Sequence, residues 1–288
     1  MDVVPSDHTD IVCSVADRVA VDQAFADHAI DAVIHAGALH KPDIIRYPQQ
    51  AFVDINVTGT LNLLEAAVQA GVRRFVFTST TSLMISQAIR DEQSDQAIWL
   101  DEDAAPIEPR NIYGVTKLAA EGLCRQHHLE HHLPVIILRT SRFFPEEDDT
   151  LKDLSGPNLK ANELLYRRAT VMDMARTHVA ALEADTPGFG LYLVSAPNRF
   201  QRDQVGKLKQ DAATVIRDLY PDANAAYASA GWRLPQSIGR VYDGSRIMRD
   251  LGFQYETTFE AVLTALESGG PSPIEHDASY MSPIIKNA

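Results

Sequence analysis

Tyr113 and Lys117 are four positions apart in the segment Tyr-Gly-Val-Thr-Lys. On a helix this spacing places both side chains on one face, within reach of one substrate. A free tyrosine ionises at about pH 10 and is a poor base at neutrality. A nearby ammonium group favours the phenolate and lowers its pKa. The pair could therefore support proton transfer, but the spacing alone is weak evidence, and chance placement of two ordinary residues on a solvated helix is the default interpretation.

The context of the pair supports the chemical interpretation. The pair opens a predicted helix after a polar loop, and it lies downstream of a strand end rich in hydroxyl groups, residues 78–82. Other polar residues also lie at the carboxyl ends of predicted strands, namely His35, Arg139 and Thr140. Because the carboxyl ends of parallel strands meet at one edge of a sheet, where ligands bind, we expect a ligand site there.

The elements that must position these residues are short apolar strands alternating with helical patterns, which is typical of a parallel α/β sheet. We predict strands at residues 31–35, 74–79, 134–139 and 191–195. We predict helices at residues 56–70, 113–130, 171–184, 203–219, 245–251 and 257–268. The first strand is expected to be buried, and Gly71 is expected to end the first of these helices. Residues 83–111 are predicted to form a long surface loop or lid, and a mobile tail is expected from Gly269.

Five segments in order along the chain resemble the extended short-chain dehydrogenases, specifically the NAD-dependent epimerase/dehydratase group that is similar to UDP-glucose 4-epimerase. The segments are residues 28–38, 56–65, 75–80, 170–178 and 243–253. The resemblance covers nearly the whole chain. It implies a Rossmann-like, doubly wound parallel sheet over residues 1–146 and a smaller substrate lobe over residues 147–288, with residues 170–196 returning to the sheet.

The resemblance also implies roles for the catalytic residues. Tyr113 is expected to be the general acid or base. Lys117 is expected to bind the nicotinamide ribose and to lower the pKa of the tyrosine. Thr80 is expected to hydrogen-bond the reacting oxygen, with Thr81 as the alternative. His35 is interpreted as a hydrogen-bonded core residue rather than a catalytic one.

By the same resemblance the cofactor is NAD, with NADP left open. The residues expected to contact it are Asp2, Ser14, Val15, Ala36, Gly37, Ala38, Asn56, Thr78, Tyr113, Lys117 and Thr140. Asp2 corresponds to an acidic residue that binds the adenosine ribose and favours NAD; a surface role for it is an equal alternative. Asn56 either holds the cofactor turn or caps a helix.

The sequence also departs from the family pattern. No Gly-x-x-Gly-x-x-Gly turn precedes His35, so a βα unit and the next strand, about thirty residues, are expected to be missing at the N-terminus. Ser14 and Val15 replace an Asp-hydrophobic pair that contacts adenine. Ser141 and Arg142 stand where the family often has a Phe-Asn pair that contacts nicotinamide and substrate. Arg142 is expected to bind a substrate phosphate or carboxylate, or to pair with Glu146 or Glu147.

The resulting functional hypothesis is hydride transfer at a secondary alcohol or ketone of a small molecule, by an NAD(P)-dependent oxidoreductase or epimerase. A nucleotide sugar is one substrate class that the resemblance implies. Classical sugar dehydration is not expected, because Thr80 is followed by Thr81 and Ser82 rather than by Asp and Glu. The missing glycine turn keeps open a non-catalytic binding or regulatory protein on the same scaffold. The resemblance also implies a homodimer formed by the helices at 56–70 and 113–130; the alternative is that these helices are buried against the chain's own sheet.

Composition narrows the function classes. The formal net charge of −13 argues against binding to nucleic acid or to anionic membranes. No apolar run is long enough for a membrane span, and the start is polar and acidic, unlike a signal peptide. Two cysteines suit the cytoplasm. Four histidines have a spacing that could place metal ligands on one helix face, namely His127, His128, His131 and His132. No Cys or carboxylate completes a recognisable site, so we expect no metal site and interpret these residues as a solvated helix end.

Overall fold

The computed structural model of the 288-residue chain describes residues 1–144, 154, 156–185 and 188–274. Its strands are β1 (Ala32–His35), β2 (Arg74–Thr80), β3 (Ile98–Leu100), β4 (Val135–Thr140), β5 (Arg142–Phe144), β6 (Arg168–Thr170), β7 (Phe189–Val194) and β8 (Arg240–Tyr242). Its helices are α1 (Arg18–Asp27), α2 (Gln49–Phe52), α3 (Gly59–Ala70), α4 (Gln87–Arg90), α5 (Ile112–His131), α6 (Gly156–Leu164), α7 (Val171–Glu183), α8 (Val205–Leu219), α9 (Ala223–Ser229), α10 (Ser245–Leu251) and α11 (Phe259–Ser268).

The main sheet contains four strands in the order β1-β2-β4-β7. Strands β1 and β2 pair in parallel, with His35 opposite Phe77. The predicted α/β fold with a parallel sheet is therefore confirmed. Because β1, β2 and β4 are consecutive neighbours, the polar residues that end them, His35, Thr80 and Thr140, come from adjacent strands of the sheet.

Burial separates the central strands from the outermost one. All six residues of β4 are buried, and the apolar run of β2 from Phe75 to Phe77 is completely buried. Such continuous apolar runs are typical of central parallel strands covered on both faces. In contrast, Ile34 of β1 is 42% exposed. The expectation of a buried first strand is therefore wrong, because β1 is the last strand of the described sheet and lacks a neighbour on one side.

Helix α3 continues from a π-helical segment, Val53–Thr58, that the sequence pattern did not predict. The helix ends at Gly71, whose φ of +64° is left-handed and costs little without a Cβ. The predicted helix end is confirmed. Leu63, Leu64 and Ala67 of α3 belong to an apolar core that also includes residues of β2, β4 and α5.

The region predicted as a loop or lid, residues 83–111, contains a strand instead. Strand β3 pairs in parallel with β8, with Trp99 opposite Val241. The loop prediction is wrong because a strand of three residues has too few positions to show a period. Its partner strand also lies far along the chain.

The described chain divides into two compact units. The first comprises residues 1–84, 108–139 and 178–192, and the second comprises residues 85–107, 140–177 and 193–288. The first unit holds β1, β2 and most of β4, whereas the second holds the small parallel pairs β3-β8 and β5-β6. The predicted boundary at residue 146 stays a prediction. No helix within the described ranges is long and apolar enough to cross a membrane.

Candidate active site

Helix α5 starts in a way that fixes its orientation. The Asn111 side chain caps the helix by accepting a hydrogen bond from the backbone N–H of Gly114 at 3.0 Å. A Cβ on Gly114 would lie 2.9 Å from Cβ of Pro109, so the first turn packs closely against the preceding segment. Tyr113 and Lys117 are buried, at 6% and 3% exposure. The alternative of a solvated helix face is therefore wrong.

Lys117 is a buried cation against an aromatic ring. Its Nζ lies 4.2 Å from the centre of the Phe77 ring, a distance at which a cation is attracted to the π face. Burial lowers the pKa of Lys117 to about 8, against the opposing effects of Cys124 and Glu121. At neutral pH the side chain is therefore mainly protonated and supplies a positive charge on the face of α5 that carries Tyr113.

Thr80 and Thr81 lie where β2 passes into the 3-10 turn Thr81–Met84. Both residues are buried, and helix α5 packs against both elements. Thr80 Oγ1 accepts a hydrogen bond from the backbone N–H of Ser82 at 3.1 Å. A hydroxyl has one donor as well as its acceptor sites, so Thr80 can still donate to a substrate oxygen. Its catalytic role stays a prediction.

The turn after β1 presents open backbone. Ala36 and Gly37 are exposed and Ala38 is half-buried. Asn56 anchors this turn from the π-helical segment: its Oδ1 accepts from Leu39 N at 2.8 Å, and its Nδ2 donates to the Leu39 carbonyl at 3.0 Å. The helix-cap interpretation of Asn56 is therefore wrong, since the residue lies inside a helical segment and its amide binds the turn.

His35 lies at the end of β1 and is buried. Its Nε2 lies 3.0 Å from Thr60 Oγ1, and its ring packs near Phe75 and Phe77. Burial and the positive charge of Lys117 lower the pKa of His35 to about 3. The imidazole is therefore neutral at physiological pH, and its interpretation as a hydrogen-bonded core residue is confirmed.

Thr78 contacts helix α7, which contains most of the later family-like segment. Its Oγ1 lies 2.8 Å from Nε2 of His178, which belongs to α7. Sequence resemblance indicated that residues 170–178 return toward the site. The contact shows that His178 of this segment reaches β2, while the cofactor role of Thr78 stays a prediction.

Three predicted cofactor residues lie near the start of the chain. Asp2 is exposed; its Oδ1 accepts from Val4 N at 2.9 Å and its backbone bridges to Val12. Ser14 Oγ accepts from Ala16 N at 3.2 Å. The carbonyl of Val15 accepts from the side chain of Asn62 at 3.0 Å. None of these contacts tests the predicted adenine or ribose contacts.

Thr140 and Arg142 belong to the second unit. Thr140 is buried, whereas the Arg142 side chain is 41% exposed on β5. The Arg142 guanidinium lies 3.8 Å from Oε1 of the buried Glu163. The alternative partners predicted for it, Glu146 and Glu147, lie outside the described residues. Substrate binding by Arg142 stays a prediction.

His40 is a residue of this site that sequence reasoning missed. The centre of its ring lies 5.6 Å from that of Tyr113, with the planes 35° apart. Although His40 reaches solvent, partial burial and the charge of Lys117 lower its pKa, and Asp43 opposes this effect. Its position five residues after His35 carries no periodic signal, because the chain between them is an irregular turn.

The histidines near the end of α5 are less solvated than expected. His127 is buried and its Nδ1 lies 2.9 Å from the Leu123 carbonyl, while His128 Nδ1 lies 2.9 Å from the Leu133 carbonyl. The interpretation as a solvated helix end is wrong for His127, since this side of α5 faces the core. In the described part of the chain, no three His, Cys, Asp or Glu side chains are placed to hold a metal ion.

The residues present fit the nicotinamide end of a dinucleotide. Lys117 offers a buried ammonium group, Tyr113 a phenol on the same helix face, and residues 36–38 an open backbone with small side chains. The fit is therefore to the reacting end of the cofactor.

Several known proteins are similar to this chain. The model of the NAD dependent epimerase/dehydratase family matches residues 4–155. The GDP-6-deoxy-D-mannose reductase of Pseudomonas aeruginosa is 37% identical over 264 residues, which cover 86% of this chain and 82% of that protein. The L-arabinose 1-dehydrogenase (NAD(P)(+)) of Haloferax volcanii is 31% identical over 148 residues, and the alignment covers 48% of this chain and 56% of the relative. With several curated relatives the match thus spans about half of their length or less.

Solved structures show the same fold at low sequence identity. A short-chain dehydrogenase/reductase superfamily protein from Agrobacterium tumefaciens, determined with bound NAD, matches with a TM-score of 0.60 and 22% identity, covering 93% of this chain and 87% of that one. The uronate dehydrogenase of the same organism matches with a TM-score of 0.60 and 18% identity, covering 96% and 81%. These matches establish the fold.

Proposed function

Since the chain belongs to the NAD dependent epimerase/dehydratase family, we propose that it is an NAD-dependent enzyme acting at a secondary alcohol or ketone of a sugar or nucleotide sugar. The observation that carries the proposal is the buried placement of Tyr113 and Lys117 on one face of α5. Burying an ammonium group is costly, so a chain that keeps one beside a phenol is well suited to proton chemistry there.

Each residue has a defined part in the proposed reaction. NAD, when bound, supplies the hydride acceptor. Tyr113 takes the proton of the substrate hydroxyl during oxidation and returns it during reduction. Lys117 holds the nicotinamide ribose and stabilises the phenolate by its charge. Thr80 donates a hydrogen bond to the reacting oxygen and so orients the substrate.

The substrate class is inferred from the relatives. The names of the matched proteins include reduction of a GDP-linked deoxysugar, oxidation of L-arabinose and epimerisation of UDP-glucose. All of these are reactions of sugars or nucleotide sugars, which supports that class for this chain. Arg142 is proposed to bind an anionic group of the substrate, because a guanidinium can bind a phosphate or carboxylate at two points.

The first experiment is titration of the purified chain with NADH, followed by cofactor fluorescence. We expect saturable binding, weakened by the substitution Lys117→Met, which removes the ribose contact. The substitution Tyr113→Phe keeps the ring and the burial, so we expect it to preserve binding while lowering turnover by about 100-fold or more. Absence of NADH binding at millimolar concentration would contradict the enzyme proposal and favour a non-catalytic binding protein.

A second experiment separates the two reaction types. The chain is incubated with NAD and a panel of free and nucleotide-linked sugars, and both NADH formation and the sugar product are followed. A dehydrogenase accumulates NADH with a ketone or lactone product. An epimerase converts one sugar into its epimer without net NADH. We favour net oxidation or reduction, because the relative with the longest match among those described above is a reductase by name.

Two further properties belong to the proposal. We place the protein in the cytoplasm, which its two free cysteines, Cys13 and Cys124, support. We also propose a homodimer formed through α3 and α5. Val115 of α5 supports this arrangement, because it is apolar and 48% exposed.

A further inference from the structure

Glu121 follows Lys117 by one turn of α5 and forms a buried polar cluster that sequence reasoning missed. Its Oε1 accepts from Arg139 Nε at 3.0 Å, and its Oε2 accepts from Arg139 Nη2 at 2.7 Å. Ser79 Oγ donates to the same Oε1 at 2.6 Å. The exposed fractions are 5% for Glu121, 4% for Arg139 and 2% for Ser79. The carboxylate is thus fixed at both of its oxygens and has lost nearly all contact with water.

The cluster joins the elements that carry the proposed catalytic residues. Ser79 immediately precedes Thr80 on β2, and Glu121 lies on the same helix as Tyr113 and Lys117. Arg139 belongs to β4, the neighbour of β2 in the sheet. A hydrogen-bonded ion pair at this point therefore ties α5 to both central strands. Its geometry bears directly on where the Tyr113 helix face lies.

The buried cations around Glu121 outnumber the carboxylate, because Lys117 and Arg139 are both buried near it. Two buried cations lie near the carboxylate of Glu121: Arg139, which is hydrogen-bonded to it, and Lys117, which lies one turn earlier on α5 and whose pKa Glu121 raises. Arg139 holds that carboxylate at two points, and within the described residues its other terminal nitrogen, Nη1, has no hydrogen-bond acceptor. A forked guanidinium–carboxylate pair is strong and geometrically specific. Arg139 is therefore the ion-pair partner of Glu121, and the positive charge of Lys117 is left without this carboxylate as a direct partner.

The other titratable groups near Lys117 do not supply a negative charge. The pKa of His35 is lowered to about 3 and that of His40 is also lowered, in both cases by burial and then by Lys117 itself. Burial raises the pKa of the Cys124 thiol, which therefore stays protonated. The ammonium group of Lys117 therefore remains a positive charge on the helix face that carries Tyr113.

We propose that Glu121 and Arg139 are positioning residues for the reaction. Arg139 binds Glu121 in a forked ion pair, so this carboxylate does not neutralise Lys117, and the ammonium group is kept available to stabilise the Tyr113 phenolate. Ser79 fixes the same carboxylate to the strand that carries Thr80. The catalytic meaning of the cluster rests on the proposed function, but its charge balance can be measured without cofactor or substrate.

The proposal predicts opposite effects for two single substitutions. In Arg139→Met, Glu121 is released and pairs with Lys117, so the phenolate loses support and the titration midpoint of Tyr113 rises by about one pH unit. In Glu121→Gln, the carboxylate is lost while the Arg139 guanidinium stays, so the net charge near Tyr113 becomes more positive and the midpoint falls by about one unit. The double variant Glu121→Gln/Arg139→Met restores a single uncompensated charge on Lys117. Its midpoint returns to that of the unaltered chain.

The experiment is a spectroscopic pH titration of the full chain. The ultraviolet absorption of tyrosinate is recorded for each variant with and without Tyr113→Phe, and the difference isolates Tyr113. Circular dichroism identifies the variants that fold. Replacing both partners of a buried ion pair is commonly tolerated, whereas removing one partner is costly, so the double variant is the one most suited to remain folded.

Each outcome decides the proposal. Shifts of opposite sign in the single variants, with recovery in the double variant, support it. If only the double variant folds, an unchanged midpoint supports the proposal and a shifted midpoint overturns it. Equal shifts in all variants, or no shift in any folded single variant, show that the cluster serves packing alone. If the titrations agree while NADH binding and turnover are absent, the proposed function fails and the charge arrangement stands.

Discussion

Lys117 is charged, 3% exposed and held on a single helix face, so its burial has a measurable thermodynamic consequence. Its pKa is lowered from 10.5 to about 8. A lysine that is harder to protonate when folded lowers the stability of the folded state at neutral pH. The side chain that best supports the proposed chemistry is therefore also one that opposes folding.

The first prediction concerns this lysine. Between pH 8 and 10.5 the unfolded chain binds more protons than the folded one, so the free energy of unfolding rises with pH by about 3 kcal/mol from Lys117. Lys117→Met removes that contribution and is expected to be more stable than the unaltered chain at pH 7, although inactive. Urea unfolding at several pH values measures both effects. An identical pH slope in the variant would contradict the prediction.

His35 gives a second prediction, at the acidic end. Its pKa is lowered from 6.5 to about 3, so the unfolded chain takes up a proton first as the pH falls. Stability is therefore lost from about pH 6.5 downward, by about 4 kcal/mol once pH 3 is reached. In His35→Gln, which retains a hydrogen-bonding group near Thr60, this part of the loss disappears. Comparing acid unfolding curves of the two proteins tests it; parallel curves would count against a buried neutral imidazole.

At the scale of elements, close approach of backbone segments sets the geometry of the first unit. Gly59 is the first residue of α3, and it lies against Val15 in the segment that precedes α1. A Cβ at Gly59 would lie 2.5 Å from Cγ2 of Val15 and 3.3 Å from its backbone carbon. Val15 is branched at Cβ and has little freedom to turn away. The contact therefore holds a predicted cofactor residue against the helix.

The third prediction follows from this contact. Gly59→Ala is expected to lower the free energy of unfolding by about 1–3 kcal/mol, because the added methyl overpacks the junction. Gly122→Ala is the matched control: it lies on an exposed face of α5 with nothing within 4 Å of the new methyl, and alanine there is expected to stabilise by about 0.5–1 kcal/mol. Val15→Ala combined with Gly59→Ala is expected to recover most of the loss. Chemical denaturation of the variants gives the values, and an unchanged Gly59→Ala protein would rule out the tight contact.

At the scale of the whole molecule, the net charge and the exposed apolar side chains influence which macromolecules can bind to the surface. A formal charge of −13 gives a surface that is expected to repel nucleic acid, whereas an anionic small ligand would need a local basic pocket. Val115 and Leu129 leave apolar side chains exposed on α5. Burial of such groups between two copies of the chain is favourable.

The fourth prediction tests the proposed homodimer. Size-exclusion chromatography with light scattering is expected to give twice the mass of one chain. Val115→Arg, which places a charge in the proposed interface, is expected to give a monomer. Val179→Arg is the control, because Val179 is similarly exposed, at 47%, but lies on α7 outside that interface. A monomer mass for the unaltered chain would contradict the dimer.

Local sequence patterns were sufficient for the main elements and for the central pair of the candidate site. Strand β2, helix α5 and helix α10 lie within two residues of their predicted positions, because apolar periodicity and capping residues act over short stretches of chain. The Tyr113 and Lys117 pair could be found for the same reason, since a spacing of four on a helix is a local property.

Only the tertiary structure decided the remaining features. Strand β3 pairs with β8, and Lys117 is buried. The ring of His40 lies beside that of Tyr113. Glu121 forms its ion pair with Arg139 rather than with the lysine one turn away. These outcomes depend on contacts between residues far apart in the chain and on the loss of water around charged groups. Neither leaves a periodic trace in the sequence. The residue types therefore indicated the chemistry, while packing determined which buried cation pairs with the Glu121 carboxylate.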